Sequence, residues 1–339
     1  MRKLGMEARE LDRVRHVLAG DSVVDWRGLD FANYDDVDAH LRLNKVDWHS
    51  PRDARYLRGL HAESVHFIEG TLDRKIATEV STAQDVRDVF LFTGPDLPPD
   101  IRMAACFTLK VMNTINHVNG RELLFHVPLS ERELVVMAKA EVQRVVDELR
   151  RSGFPIFDFE GGEKSREALI LKLMAKRETL AAQVFDKIRF RITVEDLDQI
   201  AAIVLHLTRR LFPFNYVIPG QSLNEIVRIP DEGDDPVRPG LMPPPQSDRM
   251  PNESSGPTYR HLDFVVDLPL RIESLVNLAA EPALERLGCV IHAMIEFQVV
   301  DRQTARDNES GLNSHQAYRD RQRDRVLERL ERPHVLPKR

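Results

Sequence analysis

Residues 184–194, VFDKIRFRITV, alternate without a break. Ile188, Phe190, Ile192 and Val194 fall on one side of an extended chain, and Lys187, Arg189, Arg191 and Thr193 on the other. A stretch with period two has one face to bury and one to hydrate, and slipping it by a residue would exchange them. The chain must therefore build a sheet that is covered on its apolar side and carries cationic groups on the other. Two further stretches alternate in the same way, 260–268 (RHLDFVVDL) and 290–300 (VIHAMIEFQVV), and 154–162 (FPIFDFEGG) is aromatic and β-like. Helical spacing returns between them. One helix is expected over roughly 164–182. A second, about 195–211, turns Leu197, Ile200, Ala201, Val204 and Leu207 toward the sheet.

The first part of the chain reads as helical. Residues 6–18 bring Met6, Leu11, Val14 and Leu18 to approximate helical spacing, and 100–118 form a core helix with Ile101, Ala105, Leu109, Met112 and Ile115 in one stripe. His117, at the end of that stretch, reads as a partner of the helix dipole rather than a ligand. Ser130-Glu131-Arg132-Glu133 is a capping box, and the helix it opens, 131–152, stops at Gly153 with Pro155 just beyond. A domain boundary is placed there. The expectation is an α+β chain with a helical domain over 1–150, then a mixed sheet flanked by helices over 151–335. An insertion at 229–258 holds eight of the 20 prolines and the acidic run DEGDDP. Residues 314–332 form a highly charged helix, expected to be a solvated face.

Composition narrows the classes. With 48 Lys+Arg against 54 Asp+Glu the formal charge is −6, which argues against a surface coated in basic charge for duplex nucleic acid but not against a local basic pocket. A hydrophobic content of 42% suffices for real cores. Cys106 and Cys289 lack the spacing of a zinc site and read as buried reduced thiols. No run of ~18 apolar residues suggests a membrane span, and the charged start MRKLGMEARELDR is no signal peptide. A cytoplasmic protein is expected.

Two carboxylates sit where turns are not expected: Asp186 opens one strand and Glu296 lies within another. Each either points to solvent on the open face or is paired or metal-bound, since a buried unpaired carboxylate is costly. Together on adjacent strands they could hold Mg²⁺. Lys164 and Lys172, eight apart, share one helix face. Gly161-Gly162 before that helix could offer N–H groups to an anion.

In element order, 157–320 resembles the synthetase domain of RelA/SpoT-type (p)ppGpp synthetases. The family's G-R-x-K-x-x-x-S-x-x-x-K is matched here at Gly161, Lys164 and Lys172, with Gly162 at its arginine and Ala168 at its serine. Its D-x-x-G-x-R-I strand is matched at Asp186, Arg191 and Ile192, with Arg189 at its glycine. Ile218-Pro219-Gly220 keeps its I-P-G element, without the basic residues that follow. Its G-Y-x-S-L-H is Thr258-Tyr259-Arg260-His261-Leu262-Asp263, which keeps the tyrosine and puts Asp263 at the histidine. Glu296 and Gln298 match E-x-Q-x-R-T, with Val300 at the arginine. Glu309, Gly311, His315 and Tyr318 keep the spacing of the family's tail.

The resemblance implies transfer of pyrophosphate from ATP, the donor, to a nucleotide (or RNA) hydroxyl with Mg²⁺ or Mn²⁺. By carry-over Asp186 and Glu296 ligate the metal, and Glu296 helps to deprotonate the attacking hydroxyl. Lys164, Lys172 and Arg191 grip the ATP phosphates, Tyr259 stacks on the acceptor base, and Gln298 and His315 shape the acceptor side. The changes at 162, 168, 263 and 300 reduce positive charge and leave guanosine nucleotide as acceptor an open question. Arg189 and Arg260 are candidates to restore some of that charge. The acidic balance favours a small nucleotide over tRNA, and a homo-oligomer stays open. The alternative is a catalytically inactive relative that senses nucleotides or binds a protein. Residues 1–150 show no His-Asp hydrolase signature.

Overall fold

The computed structural model describes residues 8–19, 31–175, 187–227, 254–273 and 285–331. Seven helices come first: α1 (Ala8–Ala19), α2 (Tyr34–Leu43), α3 (Pro51–Gly70), α4 (Thr78–Ser81), α5 (Val86–Leu91), α6 (Pro99–His126) and α7 (Glu131–Arg151). Strand and helix then alternate through β1 (Ile156–Glu163), α8 (Arg166–Ala175), β2 (Ile188–Val194), α9 (Gln199–Arg210), β3 (Leu223–Asn224), β4 (Leu262–Arg271) and β5 (Val290–Asp301). Two helices close the described chain, α10 (Arg302–Asn308) and α11 (His315–Glu331). The architecture is α+β, as the sequence pattern implies.

Local chemistry starts several helices. Asn33 caps α2, Ser50 caps α3 ahead of Pro51, and the Ser130–Glu133 capping box of α7 is present in both directions. Asp301 ends β5 and its carboxylate accepts the N–H groups of Gln303 and Thr304, so α10 leaves directly from the strand.

The five strands run in the order β1-β2-β5-β4-β3. The β2/β5 pair is parallel and the other pairs are antiparallel. The alternation read from 188–194 places Phe190, Ile192 and Val194 on a fully buried face. There Phe190, Phe212, Phe264 and Phe297 meet ring to ring, beneath Val142, Val145, Val146 and Leu149 of α7 and Ile200, Val204 and Leu207 of α9. Val14, Val17 and Leu18 of α1 join the same core. A second core gathers Val37, Leu57, Phe90, Leu109 and Met112 from the early helices around Phe214 and Val290. Helices that precede residue 150 therefore share both cores with elements that follow it. An ion pair reinforces this: Arg271 of β4 donates from Nη1 and Nη2 to the two carboxylate oxygens of buried Asp53 on α3, at 2.7 and 3.2 Å.

Two expectations are corrected. The helix expected over 100–118 continues to His126, which puts His117 well inside α6 rather than at its end. Asn119 and Gly120, residues that commonly stop helices, are buried within it. Gly161 and Gly162 do not form a loop before a helix. They lie in β1, paired with Phe190 and Arg189 of β2. The two cysteines are unpaired, Cys289 buried and Cys106 only partly so. Of the proline-rich stretch at 229–258, only its last residues, from Ser254, are among those described.

Candidate functional site

The register of the sheet assembles the polar face. Arg189 pairs with Glu296 and Arg191 with Gln298 across β2/β5, while Asp263 of β4 pairs with Gln298 and Val265 with Glu296. Paired residues in neighbouring strands point to the same side. Arg189, Arg191, Glu296, Gln298 and Asp263 are thus forced onto one face by the same period that buries Phe190, Phe264 and Phe297 on the other.

Glu296 is 1% exposed. The reading in which it points to solvent is overturned. Its burial is compensated by Arg189, whose Nε donates to Oε2 at 2.6 Å, a charge-assisted contact. Arg189 stands where the resembled motif has glycine, and its cross-strand partner on β1 is Gly162, where that motif has arginine. The two departures are therefore opposite each other. A Cβ at Gly162 would meet nothing within 4 Å, so the space beside it is open on the face where Arg189 sits. The sheet keeps a guanidinium in this neighbourhood but supplies it from the other strand.

Arg191 comes within 3.6 Å of Glu309, which brings the segment after α10 over β2. Gln298 is buried beside it. Tyr259 packs edge-on against His261, with ring centroids 5.1 Å apart. Burial raises the Tyr259 pKa, and it also feels the charges of Arg191, Arg189, Glu296 and Asp263, which places its hydroxyl among them. Its segment is held in place by side chains: Asn308 accepts the Arg260 N–H and donates to the Arg260 carbonyl, and Asn313 donates to the Thr258 hydroxyl. The Arg260 side chain is exposed, so of the two candidate replacements for the missing charge Arg189 is the one that reaches Glu296.

His261 and Asp263 share this face. His261 Nε2 lies 2.9 Å from Asp263 and Nδ1 3.3 Å from Glu225. Burial alone would lower the pKa of this imidazole, but the two carboxylates outweigh it and raise it to about 9, so it is charged at neutral pH. In the sequence His261 stands only at the serine position of the resembled motif. Its position two residues before Asp263 on an alternating strand is the signal that puts both on one face.

The remaining expected residues lie on other elements. Lys164 follows β1 directly, with its N–H bonded to the Lys187 carbonyl at the start of β2. Lys172 is partly exposed on α8, a helix that packs against α11. His315 opens α11 and is exposed. Partial burial and the charges of Arg319 and Arg189 lower its pKa, so it too lies within electrostatic reach of Arg189. Asp186, the second expected metal-binding carboxylate, is outside the described residues.

A magnesium ion needs carboxylate oxygens to coordinate. The one described carboxylate of the expected pair, Glu296, already carries a guanidinium at hydrogen-bond distance.

No family profile matches this chain. No curated protein matches it by sequence. Solved structures do. The chain is similar to the small alarmone synthetase 1 from Bacillus subtilis, at 15% identity and a TM-score of 0.32 over 59% of this chain and 86% of that one. The same synthetase bound to its product pppGpp aligns over 64% of this chain and 99% of that one, at 17% identity and a TM-score of 0.33. A GTP pyrophosphokinase family protein from Streptococcus pneumoniae aligns at 15% identity and a TM-score of 0.34, over 59% and 83%. Among the described residues, no helix is long and apolar enough to cross a membrane.

Proposed function

We propose that the polar face formed by β2, β5 and the Tyr259 segment binds a nucleotide. The observation that carries this reading is the buried Glu296–Arg189 pair set beside Arg191 and the Tyr259 ring on one face. Arg191, with Lys164 and Lys172 at the margin, supplies cationic donors for phosphate oxygens. Tyr259 supplies an aromatic surface for a base, with Gln298 and His315 shaping that side. Because Arg189 neutralises Glu296, the cleft holds its ligand without a metal ion and without turnover. Isothermal titration of the full chain with ATP, GTP and GDP in EDTA tests this. Binding that survives EDTA and is lost in Arg191→Ala supports the reading. No binding of any of the three overturns it.

The retained constellation favours a second reading. Glu296, Gln298, Arg191 and Tyr259, the residues that the sequence resemblance assigns to transfer of pyrophosphate from ATP to a nucleotide hydroxyl, lie on one face. In that reading Glu296 and Asp186 would hold Mg²⁺ or Mn²⁺, which supplies charge neutralisation to the phosphates. The assay is AMP release from ATP with GDP, GTP, ATP or tRNA as acceptor. Metal-dependent AMP release that disappears in Glu296→Gln would establish transfer over binding alone.

A further inference from the structure

The polar face of the sheet does not end at Glu296. Four residues earlier on β5, on the same face and roughly 13 Å away at strand spacing, lies His292. Here α6 covers the sheet. His117 of α6 comes down onto Asp267 of β4, with Nδ1 3.1 Å from Oδ2, and its ring stacks on that of His292 at a centroid distance of 4.3 Å. One ligand atom from each of His117, Asp267 and His292 lies within 4.8 Å of the others, and among the described residues no other group of three such side chains does so.

This cluster is poorly satisfied as it stands. His117 Nε2 and both ring nitrogens of His292 are buried with no hydrogen-bond partner among the described residues. Each such group costs about 1–3 kcal/mol if it stays unpaired. The fold makes room for the imidazole all the same. A Cβ on Gly120, one turn beyond His117 on α6, would come within 2.5 Å of His292 Nδ1. Two imidazoles and one carboxylate are a donor set for first-row transition metals rather than for Mg²⁺ or Ca²⁺.

We propose that His117, Asp267 and His292 bind one divalent transition-metal ion of the zinc class, which ties α6 to β4 and β5. With metal–ligand bonds of about 2.0–2.2 Å, tetrahedral ligand atoms sit roughly 3.4 Å apart. The His117–Asp267 separation already meets this. An ion lies in the plane of each imidazole that binds it, and the two rings are only 20° from parallel. Binding therefore turns one ring about its Cβ–Cγ bond, a broad and soft torsion. Three protein ligands leave one position for water. His117 also lines a surface pocket of about 430 Å³ with Thr114, Val118, Arg121, Glu122 and Phe125.

The test uses the full chain, stripped of metal with a chelator. Co²⁺ alone should bind at one ion per chain and give the intense visible bands of a four- or five-coordinate centre, without the near-ultraviolet band of a thiolate ligand. Zn²⁺ should displace it and raise the Tm, and Mg²⁺ should do neither. Asp267→Asn and His292→Gln should each weaken Zn²⁺ binding at least tenfold. Wild-type protein that gives no such cobalt spectrum and no Zn²⁺-dependent rise in Tm overturns the proposal, and this measurement needs no variant to fold. Zn²⁺ binding undiminished in both variants overturns it as well, because the ion then sits elsewhere.

Discussion

Phe297 and Glu296 are neighbours in the chain and both are almost completely buried, by opposite means. Phe297 sits under three other phenylalanine rings, and any apolar shape of the right volume would serve it. Glu296 is covered too, but its burial is offset by a directional contact with a guanidinium from the adjacent strand. The contrast holds for the whole sheet. One face is sealed by the chain's own helices through non-directional contacts. The other is a row of charges, each requiring a matched partner. Glu296 has its partner in Arg189 and His261 in Asp263. At His117 and His292 ring nitrogens remain unmatched.

The largest test of this contrast is Phe297→Ala. Removing a fully buried ring should cost about 3–5 kcal/mol in urea unfolding. A cost under about 1 kcal/mol would mean that the apolar face is not a close-packed core. Next come the paired glycines of β1, which face opposite sides. In Gly161→Ala the new methyl group would lie 2.1 Å from Cδ1 of the buried Phe190 ring, and we expect a loss of roughly 1–3 kcal/mol. If that variant is as stable as wild type, the register of β1 on β2 is wrong.

Glu296→Gln should be milder. Arg189 loses its buried partner, but its side chain is 37% exposed and water takes over part of the role, so about 1 kcal/mol is expected. Nucleotide binding in the same variant should tighten severalfold by titration calorimetry, because Arg189 is released toward the phosphates, and unchanged affinity would detach Glu296 from the cleft.

His261 makes the pH prediction. Its pKa is raised from 6.5 to about 9 in the folded chain. The stability it contributes is therefore complete below pH 6.5 and is lost as pH rises through 9. The wild-type Tm should fall by a few degrees across that window, and less in His261→Gln. Parallel curves for the two proteins would show that the His261–Asp263–Glu225 cluster carries no such linkage. The smallest effect belongs to Gly162→Ala, whose methyl group enters open space on the polar face. A change within about 0.5 kcal/mol is expected. A large loss would mean that the polar face is more tightly filled beside Arg189 than its geometry indicates.

Much of the fold is legible in the residues themselves. Strict alternation at 188–194 names its own buried side, the Ser130 box starts α7 where it is expected to, and β4 and β5 begin within a few residues of their expected places. The helices over 34–43 and 51–70 went unread. Their buried positions are interrupted by polar residues such as Asp53 and His61, which Arg271 and the Val80 carbonyl satisfy and a hydrophobicity pattern does not register. In the candidate site, alternation puts Arg189, Arg191, Glu296 and Gln298 on polar or buried sides strand by strand. It does not say which of them meet, because strand order is a property of the assembled sheet.

The sequence by itself determined which side chains face the core and which face away, since the two-residue period of a strand is local and needs no partner. Only the tertiary structure decided that Arg189 lies on Glu296, that Gly162 lies opposite Arg189, and that His117, Asp267 and His292 converge from positions 117, 267 and 292. Those contacts come from the parallel register of β2 on β5 and from α6 crossing the sheet. They are long-range choices settled by the burial of Phe190, Phe264 and Phe297 on the other side.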